Sequence, residues 1–206
     1  DYTYRVLTSF DKETKRRSST EDELTTTIIG QALFVLILVM MFTFYLTLFR
    51  KDYFDKPRSI TMLYAMITLF PIFVSLIMKH NFFSVYIIPF AMAPIFVRVF
   101  MDSRTAFITH ATMILICAAA VKYQYEFIIV QLVSGLVAIY SLRELSKRSQ
   151  IFFTALLVAI STTVVYVALQ LMQDNQVFNI DRIMYTYSTI NGIFLLLAYP
   201  LMYIIE

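Results

Sequence analysis

Tryptophan is absent from these 206 residues, while glycine occurs three times, histidine twice and cysteine once. Each scarcity excludes something. A single cysteine, Cys117, cannot form an intrachain disulfide and says nothing about redox compartment. Three scattered glycines leave no glycine-rich phosphate loop, and two histidines, His80 and His110, leave no HExxH zinc motif. There is no His-Asp pair and no nucleophile elbow. The sequence therefore offers no catalytic residue, no cofactor-binding residue and no metal ligand, and this segment is not read as a hydrolase itself. Charge is scarce too. Asp, Glu, Lys and Arg make up 15% of the chain, against about 25% in an ordinary soluble domain. A net charge of +3 is too small to argue for nucleic acid as a partner.

What is present is apolar. The chain is 59% hydrophobic, with 19 Phe and 14 Tyr, and its mean hydropathy is +0.71. Seven apolar runs fill it: 28–49, 59–78, 82–101, 105–121, 126–142, 151–172 and 183–205. Most approach the ~20 residues with which a helix crosses a ~30 Å hydrocarbon core. A membrane forces the backbone to satisfy its own hydrogen bonds, so only helices or closed barrels span it. Barrel strands alternate apolar and polar residues over ~10 positions, and residues 33–49 show no such alternation. The pattern predicts an all-α, polytopic seven-helix transmembrane bundle over 28–206, with the lipid bilayer as its first partner. Pro71, Pro89, Pro94 and Pro200 fall inside runs and read as tolerated kinks. Without tryptophan, the interfacial belt falls to Tyr and Phe at run ends, such as Tyr53, Phe54, Phe82, Phe83, Tyr123, Tyr125 and Tyr203.

Charge at the joints sets an orientation. Arg50, Lys51, Lys56, Arg58, Arg98, Arg104, Arg143, Lys147 and Arg148 lie at the joints after the first, third and fifth runs. The other joints hold only Lys79, Lys122 and Arg182. The positive-inside rule places the first set in the cytoplasm. Seven crossings then put residues 1–27 outside and Glu206 at the cytoplasmic face. Residues 1–27 carry Lys12, Lys15, Arg16 and Arg17 and open on Asp1, with no signal segment to move them across. The expectation is that an extracytoplasmic part precedes Asp1 and a cytoplasmic part follows Glu206. Tyr4, Leu7 and Phe10 recur every three residues, which suits a short amphipathic helix leading from an outer domain into the first span.

Ionisable residues inside a membrane are functional candidates by default. Arg98 lies three residues from the end of its run. It reads either as a snorkelling anchor or as a ligand contact. His110 lies roughly 9 Å along its helix from Arg104. It reads either as a histidine bonded to a neighbouring helix or as a proton sensor. Lys122 and Glu126, four apart, read as a solvated pair. Small and polar residues form stripes: Gln131, Ser134, Gly135, Ala138 and Ser141 on the fifth run, and Ala155, Ala159, Thr162, Tyr166 and Gln170 on the sixth. Asn191 and Gly192 mark the middle of the seventh. Close helix packing explains such stripes. The functional alternative is a small polar cavity using Tyr166, Gln170 and Asn191 for an unknown small ligand. The short joint Asp102-Ser103-Arg104 caps the fourth helix, and with Arg143 it would face a cytoplasmic partner domain.

At this joint the chain resembles a known family. Residues 86–107 read Tyr-Ile-Ile-Pro-Phe-Ala-Met-Ala-Pro-Ile-Phe-Val-Arg-Val-Phe-Met-Asp-Ser-Arg-Thr-Ala-Phe. They resemble the membrane core of the seven-transmembrane receptors with an intracellular HD hydrolase. So do residues 135–143, Gly-Leu-Val-Ala-Ile-Tyr-Ser-Leu-Arg, and residues 197–206, Leu-Ala-Tyr-Pro-Leu-Met-Tyr-Ile-Ile-Glu. Residues 3–10, Thr-Tyr-Arg-Val-Leu-Thr-Ser-Phe, are similar to the tail of that family's extracellular domain. The resemblance covers essentially the whole chain. It implies an extracellular domain, this bundle, and a cytoplasmic HD phosphohydrolase that acts on cyclic di-AMP through a divalent metal pair. None of those ligands lies in residues 1–206. It also implies a bacterial inner-membrane location. The leading expectation is a signal-transducing membrane module. A small-molecule permease or channel, and a passive anchor that holds a homodimer, are the alternatives.

Overall fold

The computed structural model describes residues 2–80, 83–142, 148–174 and 183–196. Among them every regular element is helical, as the continuous apolar runs predict. Seven α-helices follow in order: α1 Tyr2–Phe49, α2 Pro57–His80, α3 Met92–Phe100, α4 Ser103–Ala118, α5 Gln124–Ser141, α6 Arg148–Asp174 and α7 Ile183–Leu196. Short 3-10 turns at Lys51–Tyr53 and Val85–Ile87 precede α2 and α3. The chain divides into two units, Asp1–Met41 and Phe42–Glu206. In the first, α1 runs without interruption from Tyr2, and Ile28, Leu33, Ile37 and Met40 are exposed. The helix therefore passes straight through the 27/28 boundary at which the apolar run begins.

Seven equal spans are not what the structure displays. Among the described residues four stretches are long and apolar enough to cross a membrane: Thr25–Phe49, Pro57–His80, Gln124–Ser141 and Phe152–Met172. The third run, expected as one kinked helix over 82–101, is split. Pro89 disfavours helical backbone in the residue before it, and Ile88 sits at φ −65°, ψ 127°, an extended conformation. The helix restarts only at Met92. Pro94 falls in the first turn of α3, where a missing N–H leaves no intrahelical bond unmade. Pro71, by contrast, stays inside continuous α2. α4 has 16 residues, or roughly 24 Å of helix. The expected spans beyond Leu196, and Pro200 with them, lie outside the described residues.

Within the second unit, α4 is the central element and packs against α2, α3 and α5. Its buried residues, from Thr105 and Ala106 to Cys117 and Ala118, cover most of its circumference, leaving one stripe through Arg104 and Phe107 on the surface. Outer helices show the opposite. Leu69, Ile72 and Phe73 of α2 and Phe153, Ile160 and Val164 of α6 are exposed. In water such surface would mark an interaction patch; here it is the face a bilayer covers. One core cluster joins Val74, Phe90, Met113, Ile114 and Phe127 of α2, the break, α4 and α5. Phe90 and Phe127 meet edge to face at 5.3 Å. A second cluster brings Ile95 and Phe96 of α3 against Ala138, Val158 and Leu195. α7 packs on α6 and on the Val85–Ile87 turn, which places the C-terminal helix beside the broken run.

Candidate functional site

Breaking a helix inside a membrane frees backbone carbonyls that lipid cannot satisfy. Such backbone persists only where protein or enclosed water takes over. Here Asn191 of α7 takes over. Its Nδ2 donates to Tyr86 O at 3.1 Å and to Ile88 O at 2.8 Å, so one side chain caps the end of the 3-10 turn and fastens α7 to it. The amide orientation follows from chemistry, since only the NH₂ end can face two carbonyls. The other end, Oδ1, is buried without a hydrogen-bond partner among the described residues.

Around that amide lies a small cavity with about 20 Å³ of room, lined by Tyr86, Val130, Gln131, Thr162, Thr163, Tyr166, Ser188 and Asn191. Four elements supply these residues: the 3-10 turn, α5, α6 and α7. One wall is an interhelical hydroxyl cluster. Ser188 Oγ donates to Ala159 O at 2.9 Å and lies 2.9 Å from both Thr162 Oγ1 and Thr163 Oγ1. Small residues bring α6 and α7 that close. A Cβ added at Gly192 would come within 3.2 Å of Ala159 Cβ.

Gln131 ties the cavity to a second buried group. His110 of α4 is fully buried, and its Nε2 lies 2.8 Å from Gln131 O. A carbonyl only accepts, so Nε2 carries the proton and donates. Nδ1 then presents a lone pair and is buried without a partner among the described residues. Gly135 makes the contact sterically feasible, because a Cβ there would overlap His110 Cδ2 and Nε2. The histidine is thus bonded to a neighbouring helix, the first of the two readings offered by the sequence.

The remaining sequence candidates separate. Tyr166 lines the cavity. Gln170 does not; it hydrogen-bonds Glu126 at the start of α5. That contact replaces the expected Lys122–Glu126 pair, and Lys122 Nζ instead sits 5.6 Å from the Tyr123 ring centroid. Arg98 is half-buried on α3, with Nε unpartnered among the described residues. Tyr86, Thr163 and Ser188 were missed by sequence reading. Ser188 had a signal, lying three residues before Asn191 and four before Gly192 and so on one helical face.

A second cluster forms at the joint before α4. Asp102 caps that helix, accepting from the N–H groups of Arg104 and Thr105 at 3.1 and 3.3 Å. Its carboxylate also accepts from Thr105 Oγ1 at 2.7 Å and Tyr53 OH at 2.8 Å, and pairs with Arg50 at 2.6 Å. Burial pushes the Asp102 pKa up, but the bonds from Thr105, Tyr53 and Arg50 outweigh it and hold the carboxyl down to about 2. Burial and the Asp102 bond both push the Tyr53 phenol up. Arg50 and Tyr53 follow the first run, so the joints after the first and third runs meet at one end. The Arg104 side chain is exposed. Arg143 lies outside the described residues.

Among the described residues no group of three or more His, Cys, Asp or Glu could hold a metal ion. The sequence model of one protein family, described as 7TM receptor with intracellular HD hydrolase, matches residues 25–206. Comparison with curated proteins and with solved structures returns no match.

Proposed function

The chain belongs to the family of 7TM receptors with an intracellular HD hydrolase, and from that membership we propose that it is the sensory membrane module of a bacterial cyclic di-AMP phosphodiesterase. In this reading all seven apolar runs cross the inner membrane. Residues 1–27 continue from an extracellular domain, and α7 leads to a cytoplasmic HD hydrolase whose metal pair hydrolyses the cyclic dinucleotide. The positive joints support the orientation. Arg50 touches Asp102, so the basic joints after the first and third runs share one end, the cytoplasmic one by the positive-inside rule.

The observation that carries the relay is the double hydrogen bond from Asn191 to Tyr86 O and Ile88 O. α7 is not merely packed against the bundle. It donates to two carbonyls of an interrupted neighbouring run, of which Ile88 O also accepts from Phe90 N–H at 2.9 Å, so in this reading a shift of the break moves α7 with it. A stimulus that moves the third run would reach the hydrolase along α7. Coupling of this kind requires two states that both ends bias.

The test replaces residues 25–206 by an unrelated seven-span anchor in the protein with its HD hydrolase. The relay predicts a changed basal rate of cyclic di-AMP hydrolysis and loss of its response to the external stimulus. Unchanged rate and response support a passive anchor. Solute flux through liposomes that contain this chain alone supports a permease.

A further inference from the structure

Three buried polar atoms belonging to residues that line the cavity have no hydrogen-bond partner among the described residues: Tyr86 Oη, Gln131 Oε1 and Asn191 Oδ1. Gln131 and Asn191 are only 2% and 7% exposed, so bulk water does not serve them. Both amide oxygens need a donor. The Tyr86 phenol carries a proton that needs an acceptor. The unmet demand is therefore two donors and one acceptor, in about 20 Å³. That is room for one water molecule, which needs at least ~10–15 Å³. We propose that this cavity is a binding site for a single ordered water, which donates to Gln131 Oε1 and Asn191 Oδ1, accepts from Tyr86 O–H, and so bridges α5, α7 and the broken third run. A bare cation fits less well. It could take the two amide oxygens but would leave the phenol proton unserved. The assignment goes beyond the sensory reading and holds whether or not the bundle relays a signal.

The site has a structural consequence. Asn191 would use both ends of its amide at the break, Nδ2 on the carbonyls of Tyr86 and Ile88 and Oδ1 on the water. Gln131 would link that water to the helix whose carbonyl holds His110. The water would then be the shared member of otherwise separate contacts, and removing either partner would release the same bond network.

The test uses the chain in lipid nanodiscs, with thiol labelling of buried Cys117, its single cysteine, as the unfolding readout. Tyr86→Phe and Gln131→Leu are each expected to lower the labelling midpoint by on the order of 3 °C. The double variant should fall no further than the worse single variant, because both lose one water. Without a bound water, each substitution deletes an unsatisfied buried group, so the midpoints would hold or rise and the effects would add; that result overturns the proposal. Replacing sodium by choline at constant ionic strength should shift nothing, and a sodium-dependent midpoint would assign the site to a cation instead. Should Gln131→Leu fail to fold, density maps of the wild-type protein decide. A peak within about 2.7–3.2 Å of both amide oxygens supports the site, and its absence overturns it.

Discussion

Gly135 and His110 form a size-matched pair: the imidazole lies where any other residue would place a Cβ. Gly135→Ala is expected to cost about 1–3 kcal/mol as overpacking in a closed core, seen as an earlier Cys117 labelling midpoint. Adding His110→Ala to that variant should recover part of the loss, since the clash needs both partners. Asp102 permits a different test at the same scale. Its folded pKa of about 2 lies below the ordinary value of 3.8. The folded state thus holds fewer protons than the unfolded state between those values. The contribution of Asp102 to stability is complete above about pH 4 and is lost as pH falls towards 2. Asp102→Asn, which retains a capping side chain, should flatten that part of the pH–stability profile. Single residues were legible where one helix explains them. Asp102 as a cap and Gly135 on a small-residue stripe could both be read from neighbours in sequence. The partners Arg50, Tyr53 and His110 could not, because they come from other helices.

At the scale of elements, the third run divides what sequence can and cannot say. Its apolar length and Pro89 were both visible. Whether a proline kinks a membrane helix or breaks it depends on what else can satisfy the freed carbonyls. Pro71 leaves α2 continuous; Pro89 ends a 3-10 turn whose carbonyls find Asn191. That donor lies on α7, far along the chain, so local sequence held no sign of it. Asn191→Leu strands Tyr86 O, while Ile88 O keeps its bond from Phe90 N–H, and is expected to destabilise the bundle by about 1–3 kcal/mol, the range for one stranded buried group. Nuclear magnetic resonance or hydrogen exchange should place the loosening at residues 85–91 and in α7, with α2 unaffected. Gln170 shows the same limit. Its helical face suggested the cavity beside Tyr166, but its side chain reaches Glu126 on α5.

For the whole molecule, the helical class followed from a strong constraint, since a membrane admits so few backbone solutions. Function was less visible, because no catalytic group marks it and the polar residues that matter serve helix-to-helix contacts. The family match supplies the neighbouring hydrolase. The proposed function adds a route, from the broken run through Asn191 into α7. If the proposed function holds, hydrolysis of cyclic di-AMP by this chain together with an HD hydrolase, in liposomes, tests that route most directly when Asn191→Leu is compared with Ile193→Leu. Ile193 is on the same helix but 59% exposed and its side chain makes no hydrogen bond to the broken run, so its change falls mainly on the outer surface. With Cys117 still protected in both proteins, Asn191→Leu is predicted to alter the rate or its stimulus response on the order of fivefold or more, and Ile193→Leu to leave both at wild-type values. Wild-type rate and response in a folded Asn191→Leu protein would contradict the relay.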